Sequence, residues 1–252
     1  MRRRVLLLLP GIVAVAVGGV MIASVPARAP SVCWPTLVPA YAGPQAVTSL
    51  AERDAPPALV IVNPHNGVGA ASQSAYAAAV KRAQRAGIKV IGYVSTAYGK
   101  RAASEVLAEA ERYRRWYGVD GIFLDETSHH AADLPYYRGL SDRLRPSAHP
   151  LVFNPGVVPA RAYFDLADVV VTFEGPFRDY REALARRPGW LGDQPAGSIA
   201  HLVYAASPAD AETVAALRPH AGFVYVTAGV LPDPWGSVRG YAPAGNHGVS
   251  CD

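Results

Sequence analysis

From Thr36 onward the chain carries short, almost wholly apolar runs rich in Val, Ile, Tyr and Phe. Eight of them predict strands: Thr36–Tyr41, Ala58–Pro64, Lys89–Ser95, Gly121–Glu126, Leu151–Asn154, Val169–Glu174, Ile199–Ala205 and Gly222–Thr227. Most are continuously apolar instead of alternating, the pattern of strands buried on both faces, as in a parallel sheet. Helical spacing lies between them. Residues 72–86 put Tyr76, Val80 and Ala83 on one face. Arg101–Tyr117 does the same with Val106, Ala110, Tyr113 and Tyr117, and leaves its charges on the other side. Ser207-Pro208-Ala209-Asp210 reads as a helix start, with a serine cap, proline in the first turn and an acid near the positive end; Pro219 stops that helix. Tyr136–Arg145 and Tyr180–Arg187 are less regular helical stretches.

Eight strands with helices between most of them predict a (β/α)8 barrel, an α/β fold, and 252 residues suit one such domain after a leader. The rival is an open doubly wound sheet, whose nucleotide-binding form needs Gly-x-Gly-x-x-Gly after the first strand; none is present. No linker interrupts residues 36–252, and nothing repeats beyond the barrel unit. The Gly- and Pro-rich tail 232–252 is expected to form a closing strap pinned by Cys251.

Residues 1–29 stand apart from the fold. Met1-Arg2-Arg3-Arg4 precedes an apolar run from Val5 to Val25, and Ala27-Arg28-Ala29 has the small-x-small form of a cleavage site. Pro30 fits poorly after a cut, and the run has about the length of a spanning helix. A cleaved signal peptide and an uncleaved N-terminal anchor both remain open, and both place domain 30–252 outside the cytoplasm. The leader also accounts for the basic balance. It holds four arginines and no acid, so without it Lys+Arg falls from 24 to 20, equal to the 20 Asp+Glu. The mature domain lacks the basic excess of a nucleic-acid binder, so no nucleic-acid partner is expected. A monomer is expected. The two cysteines, Cys33 and Cys251, bracket the domain and are expected to form one disulfide in an oxidising compartment.

In a barrel, chemistry gathers at the C-terminal ends of the strands. Here those ends carry Tyr41; Asn63, His65 and Asn66; Tyr93 and Ser95; Asp125 and Glu126; Asn154; Glu174; Tyr204; and Thr227. Two carboxylates after a buried apolar strand are costly unless solvated, paired or used. A capping acid or a surface ion pair would account for one of them. Two adjacent acids joined by Glu174 at a matching strand end point instead to catalysis. Glycosidic hydrolysis takes two carboxyl groups, one protonated toward the leaving oxygen and one ionised. Asp125 is expected to be the nucleophile or charge stabiliser, Glu174 the general acid/base, and Glu126 to orient substrate or tune its neighbour. Tyr41, Asn63, His65, Asn66, Tyr93, Tyr98, Asn154, Tyr204 and Thr227 are expected to bind it. Trp116 and Trp235 could stack on sugars, although Trp116 sits at helical core spacing. His65, His129 and His130 raise a metal-assisted alternative, but no ligand spacing recurs, and adjacent histidines should point apart. No metal or organic cofactor is expected.

Val38-Pro39-Ala40-Tyr41, Asn63-Pro64-His65-Asn66-Gly67, Gly92-Tyr93-Val94-Ser95-Thr96-Ala97-Tyr98-Gly99 and Trp116-Tyr117-Gly118-Val119-Asp120-Gly121-Ile122-Phe123-Leu124-Asp125-Glu126 occur in that order. Together they resemble the spherulin-4 family over residues 36–230. The resemblance implies a secreted or membrane-anchored (β/α)8 glycoside hydrolase. The family's studied fungal members cleave α-1,4-linked N-acetylgalactosamine stretches of an exopolysaccharide. It also implies that an Asp-Glu pair closing the fourth strand and a Glu near the sixth are the working acids, which match Asp125, Glu126 and Glu174. A non-catalytic, cell-surface carbohydrate-binding barrel is the alternative.

Overall fold

The computed structural model describes residues 36–217 and 220–241. The leader, both cysteines, Pro219 and the tail beyond Tyr241 lie outside the described residues, so the expectations placed on them are not addressed by the fold. Within the described residues eight strands pair in parallel and in sequence order: β1 (Leu37–Ala40), β2 (Leu59–Val62), β3 (Lys89–Ser95), β4 (Gly121–Asp125), β5 (Leu151–Phe153), β6 (Val169–Pro176), β7 (Ile199–Tyr204) and β8 (Phe223–Val226). β8 returns alongside β1, and the sheet curls into a nearly closed barrel. This is the (β/α)8 architecture that the apolar runs predict. β1, β2 and β5 are buried at every residue, because the barrel interior covers one face and the helices the other.

Helices follow most strands: α1 (Pro44–Ala51), α2 (Ser74–Arg85), α3 (Ala103–Tyr117), α4 (Leu134–Leu144), α5 (Phe177–Ala185) and α6 (Pro208–Ala216). α6 starts as its sequence demands. The Ser207 hydroxyl accepts the Asp210 N–H, and the Asp210 carboxylate answers on the Ser207 N–H. α1 is an addition to the predicted set. Its eight residues are too few for a periodic signal, and only Pro44 at its first turn and the buried Val47 and Leu50 betray it. After β5 a 3-10 turn, Arg161–Asp165, replaces the α-helix. Pro155 and Pro159 interrupt the segment that would have formed one.

Tyrosines fill much of the layer between strands and helices. Tyr113, Tyr117, Tyr137, Tyr163 and Tyr180 are fully buried. Tyr113 of α3 lies so close to β3 that a Cβ on Gly92 would meet its ring at 2.5 Å. Glycine at that position therefore sets how near α3 can sit. No helix among the described residues is long and apolar enough to cross a membrane.

Candidate active site

The polar strand ends converge. Alternation along β4 puts Phe123 and Asp125 on the same face, and the register sets them beside Tyr93 and Ser95 of β3. Tyr93 stacks on Phe123 and meets Tyr41 edge-on, with ring centroids 6.4 and 5.8 Å apart. These rings floor a cleft of about 300 Å³ whose walls include Asn63, Asn66, Asp125, Asn154 and Glu174.

Glu174 reaches this cleft through an irregularity. Between Val171 and Phe173 the register of β6 against β7 slips by one residue at Thr172. Such bulges re-aim the side chains that follow them. Here the outward Phe173 packs on Tyr180 at 4.9 Å, and Glu174 turns inward. The bulge is pinned from behind. His201 Nε2 meets Thr172 Oγ1 at 3.0 Å, and its Nδ1 meets the Tyr180 hydroxyl at 2.8 Å.

Asn154 joins the acids. Its amide nitrogen donates to Asp125 Oδ1 at 2.7 Å and to Glu174 Oε2 at 2.5 Å. Its own oxygen accepts the Gly156 N–H, which fixes the amide so that the nitrogen faces the acids. Two oxygens on one nitrogen lie within about 5 Å of each other. Burial, followed by the charge of Asp125, raises the Glu174 pKa to about 7, against opposing hydrogen bonds from Asn154 and Trp235. Burial also raises Asp125, but the Tyr93 hydroxyl, the Glu126 N–H and Asn154 all favour its ionised form.

Glu126 takes a different direction from its neighbour. Its φ of 50° leaves the strand, and its Oε2 accepts the Ser95 hydroxyl at 2.5 Å. Among the described residues, every non-glycine residue with positive φ follows a strand at this end of the barrel: Asn66, Ala97, Tyr98, Glu126 and Ala205. Strain of that kind persists where surrounding contacts enforce it. One such contact is the buried Glu109 of α3, which accepts the Val68 N–H at 2.9 Å and pairs with Arg101 at 2.6 Å. Arg101 in turn donates to the Ser95 carbonyl, so one ion pair ties the loops after β2 and β3 together.

Not every predicted binding residue lines the cleft. His65 turns to Gln73, 2.8 Å away, and packs over Gly69. Thr227 is buried, and its hydroxyl is committed to the Arg239 carbonyl. Tyr98 stands exposed at the rim, its N–H on the Glu126 carbonyl. Tyr204 lines a neighbouring trough instead. His129 and His130 do not point apart: their rings lie with centroids 3.9 Å apart. Among the described residues no three His, Cys, Asp or Glu side chains converge as a metal site.

The tail supplies what the strand ends did not reveal. Leu231–Trp235 forms one wall of the cleft, and the Trp235 side chain favours the charged form of Glu174. The segment is held by backbone pairing of Thr227 with Gly240 and by Arg53 on the Val238 carbonyl. A tryptophan inside a Gly/Pro-rich stretch was the signal for it, and the described part of the tail walls the site.

The chain is similar to Spherulin-4 of Physarum polycephalum, with 30% identity over 169 residues. That match covers 64% of this chain and 50% of the relative, so the chain spans about half the relative's length. In structure it resembles Aspergillus clavatus Sph3 in complex with GalNAc, with a TM-score of 0.67 and 24% identity, over 81% of this chain and 93% of that one. It also resembles the glycoside hydrolase domain of PelA from Pseudomonas aeruginosa, with a TM-score of 0.53 and 18% identity, over 82% and 98% of the two chains. The barrel thus shares its fold with these two structures. Matching across residues 36–243, the chain belongs to spherulation-specific family 4.

Proposed function

We propose that the protein is an exported, monomeric glycoside hydrolase that cleaves an N-acetylgalactosamine-containing exopolysaccharide with two carboxyl groups and no cofactor. The observation that carries this reading is the single Asn154 amide shared by Asp125 and Glu174, with Glu174 raised to about 7. Buried carboxylates this close divide into one charged and one protonated member. Their spacing suits the about 5–5.5 Å of retaining enzymes better than the wider gap of inverting ones.

In the mechanism, Asp125 attacks the anomeric carbon, or steadies positive charge there, while Glu174 gives its proton to the departing glycosidic oxygen. Glu174, now a base, takes a proton from water, which attacks the anomeric carbon and releases the sugar from Asp125. Glu126 acts through Ser95 and the rim loop, orienting substrate from the side. The sugar named in the description of the Sph3 structure, GalNAc, supports an N-acetylgalactosamine unit in the cleft. The leader, as signal peptide or anchor, would bring the barrel to such a polymer outside the cell.

The test is a screen of the purified protein against α-1,4-linked N-acetylgalactosamine oligomers, partly deacetylated versions and common β-linked glycans, beside Asp125→Asn and Glu174→Gln. Chain cleavage that either substitution lowers by about a thousandfold or more supports the reading. Binding without cleavage by the wild type would instead mark a carbohydrate-binding barrel, and undiminished turnover in the variants would refute the assignment of the acids.

A further inference from the structure

Glu174 stands in a wall between two hollows. On one side is the catalytic cleft of about 300 Å³; on the other is a trough of about 740 Å³. Tyr204, at the end of β7, lines the trough and packs edge-on against Trp235, which lines the cleft, with ring centroids 5.9 Å apart. The two hollows therefore adjoin along Glu174 and the Tyr204–Trp235 pair.

The trough has the parts of a sugar site. Trp190 forms part of its wall, held edge-on by Phe164 at 5.8 Å, with the Arg161 guanidinium 5.9 Å from its ring centroid. The guanidinium lies over the indole ring, and this contact holds it beside the trough. Its charge is lopsided. Arg161, Arg186 and Arg187 line it against the acids Glu174 and Asp179. Asp179 is occupied by Arg178, and Arg186 by Glu182. Among the described residues neither Arg161 nor Arg187 has a carboxylate within ion-pair distance. Guanidiniums without a carboxylate partner suit a planar anion, which the arginine fork can grip with two hydrogen bonds. An ammonium group, as on a deacetylated amino sugar, would be repelled there.

We propose that the trough is a second substrate-binding region, continuing the cleft past Glu174, and that it selects a sugar unit bearing a carboxylate. The inference rests on the polysaccharide reading above and narrows it: the polymer carries acidic units beside its N-acetylated ones. A trough that continues past the acids also fits cleavage within a chain instead of at its end.

The experiment uses three oligomers of α-1,4-linked N-acetylgalactosamine: unmodified, with some primary alcohols oxidised to carboxylates, and partly de-N-acetylated. Binding is read by titration calorimetry and cleavage by new reducing ends. The oxidised oligomer should bind roughly tenfold tighter than the neutral one, with the gap narrowing as salt is added. The deacetylated one should bind worst. Arg161→Gln with Arg187→Gln should abolish the gap, and the corresponding double lysine variant should retain part of it, because charge survives and the fork does not. Equal binding of neutral and oxidised chains, tighter binding of the deacetylated chain, a gap that outlives the double glutamine variant, or no binding at all overturns the proposal. Cleavage separates the two readings. Charge-selective binding with no cleavage would sink the hydrolase and leave the trough; cleavage of the neutral chain without charge selection would do the reverse.

Discussion

Asp125 and Glu174 take their hydrogen bonds from the same nitrogen, at 2.7 and 2.5 Å, so neither acid is solvated independently of the other. Two buried carboxylates this close titrate as a pair. The proton goes to the member with less support for its charge. Beyond the shared Asn154 amide, the Tyr93 hydroxyl and the Glu126 N–H favour the charged form of Asp125, and only Trp235 favours that of Glu174. Aspartate is also intrinsically the stronger acid. Both effects leave Glu174 protonated and Asp125 charged near neutrality.

The pH profile should follow from this. Activity should rise as Asp125 ionises, above the usual aspartate range, and fall near pH 7 as Glu174 loses its proton. Asp125→Asn removes the charge that helps to raise Glu174. In that variant an NMR titration of the Glu174 carboxyl should give a lower pKa than in the wild type. An unmoved titration would show that the two acids are not coupled.

Asn154→Ala should weaken catalysis without unfolding the barrel. It removes a donor that favours the charged form of both acids, so both should titrate higher. The loss of hydrogen bonds to charged groups corresponds to about 10–100-fold in kcat. Steady-state kinetics across pH, with a melting curve beside them, would show both effects.

Glu174→Gln should stabilise the fold at alkaline pH. The folded protein holds the Glu174 proton to about pH 7, whereas an unfolded glutamate releases it near its ordinary value of 4.5. The folded state therefore binds more protons in that window, and its stability falls as pH rises through it, by about 3 kcal/mol in all. The variant should melt higher than the wild type at pH 8, with the advantage gone at pH 5. Matching melting curves at both pH values would contradict the raised pKa.

His201 has the opposite sign. Burial, helped by the charge of Arg187, lowers its pKa to about 3, so it stays neutral between Thr172 and Tyr180. The unfolded chain takes up that proton below about pH 6.5. Its contribution is fully present above that pH and is lost as pH falls toward 3. His201→Gln should cost about 1–3 kcal/mol at pH 7.5, through imperfect pairing of the two buried hydroxyls. By pH 4.5 the difference from the wild type should shrink. Urea unfolding at the two pH values is the measurement.

The strands, and the end of the barrel at which chemistry would gather, are written in the order of apolar and polar residues along the chain. Each strand is an apolar run long enough to be buried on both faces, and its last polar residue marks where the chain reaches solvent. Asp125, Glu174, Asn154, Tyr41 and Tyr93 were legible for that reason. Local pattern could not tell Asp125 from Glu126, because the backbone turn at Glu126 is set by the rim contacts of Ser95, Thr96 and Tyr98. Nor could it separate the cleft-lining Asn66 from His65, which differ in the loop's hydrogen bonds and not in kind. The rest was decided by closure. A shared amide between strand ends 29 and 20 residues away, a tryptophan brought from the tail onto Glu174, and an arginine-lined trough behind it depend on which segments meet once the sheet has curled. Those meetings follow from the register and the β6 bulge, and pairwise contacts across the barrel leave no periodic trace along the chain.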